Sequence, residues 1–142
     1  MSELILKKLK ESLDSKNPDE IEYAINDAWQ DGMNETYVDV LIEMLALTWH
    51  YRHEDIVNAL QELKSPKSVS ALFEAATVHH PYLEFDENYS LARKCTWALA
   101  DIGSSEAKEK LELLAKDENK MISSYALKRL ENWENELKRK GT

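Results

Sequence analysis

Glycine and proline are scarce in this chain, with three of each among 142 residues. Turns draw heavily on these two residues, and a strand-rich fold needs many turns. Their scarcity favours long helices joined by short links, and alanine, leucine, glutamate and lysine, which form helices readily, are abundant. We therefore expect an all-α fold in a single domain that spans residues 1–142.

Cysteine is almost absent as well, since Cys95 is the only one. An internal disulfide is thus excluded, which fits a reducing cytosol. No apolar stretch approaches the roughly 20 residues that span a bilayer, and the first residues lack the charged-then-apolar pattern of a secretory leader. The sequence predicts a cytoplasmic protein that does not bind membranes.

Positive charge is the third shortage. The formal net charge is −9, and nucleic acids and anionic membranes are bound mainly through lysine and arginine, so both are disfavoured as partners. Residues 17–51 carry eight acidic residues and no lysine or arginine. This stretch is either a solubilising face or a docking field that attracts a basic protein. In the second case the steering carboxylates are those of Asp19, Glu20, Glu22, Asp27 and Asp31.

Helical periodicity runs through most of the chain, and one nine-residue pattern recurs four times. The blocks start at residues 21, 52, 91 and 122 and read IEYAINDAW, RHEDIVNAL, LARKCTWAL and ISSYALKRL. The fifth positions are small or apolar, namely Ile25, Ile56, Cys95 and Ala126. The ninth positions are large and apolar, namely Trp29, Leu60, Leu99 and Leu130, spaced 31, 39 and 31 residues apart. Helices sandwiched between neighbouring repeats need such a pattern, which predicts that Trp29, Ile56, Leu60 and Leu99 are buried.

The stretch from Ala98 to Leu130 resembles bacterial HEAT-repeat sequences. In that family an Ala-Leu pair and a glycine end one helix, a leucine-rich helix and an acidic turn follow, and an alanine-rich helix closes the repeat. The matching residues are Ala98-Leu99, Gly103, Leu111 to Leu114 and Asp117-Glu118. Ile122-Ser123 stands where the family often has Val-Arg. The resemblance implies an α-solenoid of about four antiparallel helix pairs in a HEAT-like right-handed superhelix, and usually protein binding.

The resemblance also places the helices. First-layer helices are expected at residues 2–14, 36–47, 66–78 and 105–116. Second-layer helices, expected to line the concave side, are at residues 18–31, 53–64, 88–102 and 119–138. The eighth block position is alanine in three blocks and Arg129 in the last. That change is expected of a terminal repeat whose outer side faces solvent.

The middle interval of the repeat contains eight extra residues, which fall in the turn of the third helix pair, residues 79–89. The equivalent turn of the second pair is residues 49–54, and equivalent turns of a solenoid lie side by side. All four histidines of the chain lie in these turns, among aromatic and acidic residues that are typical of interfaces. The candidate partner-binding residues here are Trp49, His50, Tyr51, His53, His79, His80, Tyr82, Phe85 and Asp86. In the alternative, Tyr82, Leu83 and Phe85 fold back over the helix ends as a plug.

The histidines do not indicate a metal site. His50 and His53 are three residues apart, which suits one face of a helix, but the adjacent His79 and His80 diverge on most backbones. No cysteine cluster, HExxH motif or calcium loop accompanies them. Cys95 holds the position of a core residue and lacks the marks of an activated nucleophile. We expect no metal, no cofactor and no catalytic residue.

The sequence therefore favours a non-enzymatic module that binds another protein, is monomeric when free and does not bind nucleic acid. The specific hypothesis is a bacterial immunity or antitoxin-like protein that neutralises a basic toxin, because some such proteins are small, acidic and resemble HEAT solenoids. One alternative is an enzyme or enzyme accessory similar to HEAT-like pigment lyases. Another is a structural spacer within a larger assembly.

Overall fold

The computed structural model describes residues 2–135, and within that range it is all-α and contains no strand. Helices account for 78% of the structure, which confirms the predicted fold class at this level. The α-helices are α1 (Ser2–Ser15), α2 (Pro18–Asp31), α3 (Val38–Ala46), α4 (His53–Leu63), α5 (Val69–Thr77), α6 (Ser90–Ile102), α7 (Ser105–Leu114) and α8 (Lys120–Glu131). Short 3-10 helices occupy Glu35–Tyr37, Pro66–Ser68 and Pro81–Leu83.

The helix ends follow from the local sequence. Asn17 caps α2 by accepting a hydrogen bond from the Asp19 N–H, and Pro18 opens the helix, where its missing N–H costs nothing. Gly103 ends α6 in the left-handed region, with φ of 70°, and donates its N–H to the Leu99 carbonyl. These signals explain why the expected boundaries agree closely with the observed ones.

The last helix differs from its predicted span of residues 119–138. Helix α8 ends at Glu131, and Asn132 interrupts it with a turn before residues 133–135 resume a helical conformation. The Asn132 side chain donates a hydrogen bond to the Lys128 carbonyl, which satisfies one acceptor at the end of the helix. The rest of the predicted span, including Leu137, lies outside the described residues.

The helices pack in consecutive pairs and in two rows. The pairs α1–α2, α3–α4, α5–α6 and α7–α8 are in contact, and α1, α3, α5 and α7 contact one another in that order. Helices α4, α6 and α8 form a second row that also follows chain order. One continuous core runs between these rows. None of the helices in residues 2–135 has the length and apolar character needed to cross a bilayer.

The repeat pattern predicts most of this core correctly. All four fifth positions of the blocks are buried, and so are Ile56, Leu60 and Leu99. The prediction that Trp29 is buried is wrong, because this residue is 37% exposed. Helix α2 packs chiefly on α1, whereas α4 and α6 each lie against a further helix of their own row. The side of α2 that carries Trp29 therefore has less cover than the equivalent sides of α4 and α6.

The prediction that Arg129 marks a solvent-facing outer side is also wrong. Its side chain is buried, and the centre of its guanidinium lies 3.5 Å from the centroid of the Trp97 ring. Helix α8 packs against α6, so the eighth block position of α8 faces a helix and not the solvent. A cation over a tryptophan face is a favourable contact that an alanine at this position would not make.

Candidate functional site

The two histidine-containing turns meet in space, as the repeat spacing predicts. One is the connection from α3 to α4 and the other is the segment from α5 to α6, and we call residues 49–53 and 79–89 together the turn edge. The Tyr82 hydroxyl lies 2.7 Å from Nδ1 of His53, and the Tyr51 and Tyr82 rings contact edge to face at 5.3 Å. Tyr82 therefore joins the inserted segment to the start of α4.

Three histidines form a stack inside the turn edge. The centroids of His50 and His53 are 4.1 Å apart, those of His53 and His80 are 3.8 Å apart, and the rings lie within 25° of parallel. All three side chains are buried. These three candidate residues are therefore not part of an exposed surface, because their rings pack on each other beneath it.

Hydrogen bonds fix the protonation of two members of the stack. Nε2 of His50 donates to the Met44 carbonyl at 2.8 Å, and its Nδ1 accepts the Arg52 N–H at 3.0 Å. Since one ring nitrogen donates and the other accepts, His50 is a neutral imidazole protonated on Nε2.

His53 follows the same pattern with different partners. Its Nε2 donates to the Leu47 carbonyl at 2.6 Å, and its Nδ1 accepts from the Tyr82 hydroxyl. Met44 and Leu47 lie at the C-terminal end of α3, where the Met44 carbonyl also accepts the Leu47 N–H of the helix cap. The two rings thus satisfy carbonyls of one helix end, which explains why histidines at this turn point inward.

Burial keeps the stack uncharged. Desolvation lowers the pKa of His50, His53 and His80, and for His53 it brings the pKa to about 4, with the neighbouring histidines contributing in the same direction. Burial also raises the pKa of Tyr82 to about 12. At neutral pH the stack is a set of neutral rings and the phenol is a hydrogen-bond donor.

The stack is not arranged as a metal site. A metal ion needs ring nitrogens that converge on one point, whereas both nitrogens of His50 and of His53 are bonded to protein groups. Residues 2–135 contain no group of three or more histidine, cysteine, aspartate or glutamate side chains that could hold a metal ion. The stacked rings therefore act through packing and hydrogen bonding.

The inserted segment is a plug in one part and an exposed surface in another. Tyr82 is half-buried on His53, and Leu83 packs against the core. Phe85 lies two residues beyond Leu83 and is 90% exposed. The plug interpretation thus holds for Tyr82 and Leu83, which cover the helix ends, and is wrong for Phe85, which projects outward.

Asp86 has a structural role in the same segment. Its carboxylate accepts the N–H groups of Ser90 at 2.8 Å and of Asn88 at 3.0 Å, and the bond from Ser90 is the main cause that lowers its pKa. Tyr125 of α8 donates its hydroxyl to the Asn88 carbonyl at 2.6 Å. These bonds hold the backbone around Phe85 although the side chain of Phe85 itself is free of the core.

The remaining exposed part of the turn edge is aromatic and apolar. Tyr51 is 62% exposed, His79 is exposed and Trp49 is partly buried against the core. Val78 and Tyr89 add exposed apolar surface that the predicted set omits. No local pattern distinguishes these two from the buried residues beside them, since exposure is decided here by the path of the backbone. We call Tyr51, His79, Phe85 and Tyr89, together with the adjoining Val78, the outer face of the turn edge.

The acidic stretch, residues 17–51, has more ion pairs to basic residues than its sequence indicates. Glu22 pairs with Arg52, Asp27 pairs with Lys8 at 3.1 Å, and Asp39 pairs with Lys67 at 3.8 Å. The bases come from segments outside residues 17–51, so the sequence window does not reveal them. The view of this stretch as uncompensated is therefore wrong for these three acids. Asp19, Glu20 and Asp31 have no ion pair to a lysine or arginine within residues 2–135, and all three are exposed.

Cys95 lies in the core, as its place in the repeat predicts. It is fully buried on α6, and burial raises the pKa of its thiol. A thiol in such surroundings is a poor nucleophile because the reactive thiolate is disfavoured.

Comparison of the chain with protein-family models, with curated proteins and with solved structures found no match.

Proposed function

We propose that this chain is a HEAT-like α-solenoid that binds another protein through the outer face of the turn edge. The order of helix contacts supports the solenoid, because the helices pair in sequence and the members of each row pack in chain order. The resemblance of residues 98–130 to HEAT repeats supports the same assignment. In such an arrangement each repeat contacts its neighbours, and the turns line up along one edge.

The observation that carries the binding proposal is the exposed Phe85 on a well-anchored segment. A phenylalanine with nine-tenths of its surface in water gains nothing from the hydrophobic effect in the free protein. The segment around it is fixed by the Asp86 carboxylate and by the Tyr125 hydroxyl. Because the backbone around Phe85 is already anchored, a partner that covers the ring has to order the side chain alone.

The surroundings of Phe85 have the composition of an interface. Tyr51 and Tyr89 are exposed aromatic residues, and Val78 is an exposed apolar one. Aromatic residues are enriched at the centre of interfaces, where they supply much of the binding energy. Tyr51 also contacts Tyr82, which packs on the buried histidine stack, and an anchored surface of this kind favours recognition without rearrangement.

The charge of the molecule favours a basic partner. The net charge is −9, and Glu84 and Glu87 flank the exposed Phe85. The ion pair between Glu22 and Arg52 also joins α2, which carries the unpaired acids, to one residue of the turn edge. Within this proposal we favour a bacterial immunity or antitoxin-like protein that neutralises a basic toxin, and the field of the acids would speed its association.

An enzymatic role similar to that of pigment lyases has less support. The thiol of Cys95 is buried, and the ring nitrogens of His50 and His53 are occupied by protein groups. These residues offer neither a nucleophile nor an accessible general base. The proposal of a binding module does not need such groups.

Affinity capture with paired baits tests the proposal. The wild-type chain, a Tyr51→Ala/Phe85→Ala variant and a Tyr23→Ala variant are used as baits, and captured proteins are identified by mass spectrometry. Tyr23 is the control, because it is an exposed aromatic residue on α2 that does not belong to the outer face. We expect one or more proteins that the wild type and Tyr23→Ala retain and the double variant loses. Equal retention by all three baits would contradict a role for the outer face.

A further inference from the structure

A cavity of about 340 Å³ lies beneath the inserted segment, between the end of α5, the start of α6 and the turn that leads into α8. Small-molecule and side-chain sites begin at roughly this size. The floor of the cavity is apolar and is formed by side chains from α5, α6, α8 and the inserted segment. The floor residues are Ala75, Ala76, Leu83, Leu91, Ala92 and Ile122.

One wall of the cavity is His80, which differs from the other two members of the histidine stack. Its ring is stacked on His53, and the residue is only 4% exposed. No side chain or backbone group within residues 2–135 makes a hydrogen bond to its ring nitrogens, yet these nitrogens are not sealed from solvent. Because these nitrogens have no partner within residues 2–135 and still reach solvent, a water molecule or a ligand supplies their hydrogen bond. Because His80 lines the cavity, that partner would sit in the cavity.

The rim of the cavity is acidic. The lining residues include Glu84, Asp86, Glu87 and Asp117, and no lysine or arginine is among them. Arg93 is not among the lining residues, and its charge helps to lower the pKa of Asp86. The Asp86 carboxylate is the one that already accepts the Ser90 N–H. The cavity therefore combines an apolar floor, a neutral imidazole that can accept a hydrogen bond, and negative charge around its mouth.

We propose that this cavity binds an arginine side chain of the partner protein, an inference that rests on the proposed function. The aliphatic stem of arginine fits an apolar floor, and its five N–H donors can serve His80 and the rim carboxylates together. A lysine ammonium has three donors on a compact head and keeps its hydration more strongly. An anion is disfavoured by the four carboxylates at the mouth.

The proposal is tested with Nα-acetyl-arginine amide as the probe. Titration is followed by NMR through the Cε1–Hε1 signal of His80, with the exposed His79 as an internal comparison. The uncharged citrulline analogue, which has the same shape, is the matched control ligand. We expect a saturable shift of the His80 signal with a dissociation constant on the order of millimolar. The citrulline analogue should produce a far smaller shift.

Two variants separate the cavity from the general charge of the protein. Glu87→Gln/Asp117→Asn removes two rim charges and should weaken binding of the arginine probe by about three- to tenfold. Glu109→Gln/Glu112→Gln removes two exposed charges from α7, outside the cavity lining, and should leave it unchanged. His80→Phe keeps an aromatic ring for the stack but has no acceptor, and it should weaken the probe as well.

Equal binding of the arginine and citrulline probes would overturn the proposal, and so would equal weakening by the two charge variants. The proposed function is judged separately. A partner captured through Phe85 while the arginine probe fails to bind would leave the outer face as the binding surface and remove the cavity from it. Binding of the probe without any captured partner would support the cavity and count against the protein-binding role.

Discussion

The inner and outer sides of the turn edge have similar residue types and opposite environments. On the inner side, His50 and His53 are buried, stacked and bonded to the end of α3. On the outer side, Tyr51 and Phe85 come from the same two connections and face solvent. The comparison shows that, among neighbouring residues of one turn, some stabilise the fold and others form an exposed surface. Substitutions on the two sides should therefore affect different properties.

The largest expected effect is on stability and comes from the inner side. His53→Ala leaves the Leu47 carbonyl and the Tyr82 hydroxyl without their partner, and each unsatisfied buried group costs about 1–3 kcal/mol. We expect a loss of at least about 2 kcal/mol in the free energy of unfolding, measured by urea denaturation. Phe85→Ala should change it by less than about 0.5 kcal/mol, as for ordinary surface substitutions. A similar loss in both variants would remove the distinction between the two sides.

Acid should weaken the inner side as well. The pKa of His53 is about 4 in the folded chain, against an ordinary value of 6.5. Between these values the unfolded chain takes up a proton that the folded chain refuses, so stability is full above about pH 6.5 and falls as the pH is lowered toward 4. The lowered pKa values of His50 and His80 act in the same direction.

Unfolding free energies measured between pH 7 and pH 5 check this, because ordinary carboxylates remain largely ionised in that range. His53→Gln is the control variant, and its stability should depend less steeply on pH than that of the wild type. A slope that is the same in both would show that the stack does not titrate with folding.

A smaller effect is expected at the link between the two sides. Tyr82→Phe removes the hydroxyl that bonds His53 but keeps the ring contact with Tyr51. The hydroxyl bonds both Nδ1 and the backbone N–H of His53, and loss of these two bonds should cost about 1–2 kcal/mol. His53 should then titrate at a changed pH, which NMR of its ring protons would report. An unchanged His53 titration would mean that Tyr82 does not hold the ring.

How far the sequence predicts this site depends on the distance between the residues involved. The nine-residue blocks predict where the helices lie, that Leu60 and Leu99 are buried, and that the two turns meet. These features can be predicted because they follow a repeat of fixed spacing. The histidines point inward because they bond carbonyls at the end of α3, and no sequence motif predicts these bonds. The ion pairs of the acidic stretch and the cavity wall at Asp117 join segments that are far apart in the chain.

The smallest effect is expected from the unpaired acids. Asp19→Asn/Glu20→Gln should lower the association rate of a basic partner and flatten its dependence on salt, since exposed charges act mainly on encounter. Stopped-flow kinetics at several salt concentrations measure this, with Glu109→Gln/Glu112→Gln as a control of equal net charge. Glu22 and Asp27 are less suitable, because their replacement also breaks ion pairs to Arg52 and Lys8. An association rate that does not depend on salt concentration would contradict steering by these acids and would indicate that the acidic stretch is a solubilising face.

The most direct test measures affinity and stability together on Phe85→Ala, with the partner obtained by capture. The account predicts that the dissociation constant rises by about thirtyfold or more, the equivalent of a hot-spot loss of about 2 kcal/mol, while the melting temperature stays the same. Tyr23→Ala should change neither quantity. An unchanged dissociation constant for Phe85→Ala, or a loss of affinity that only follows a loss of stability, would contradict the claim that the outer face of the turn edge binds the partner.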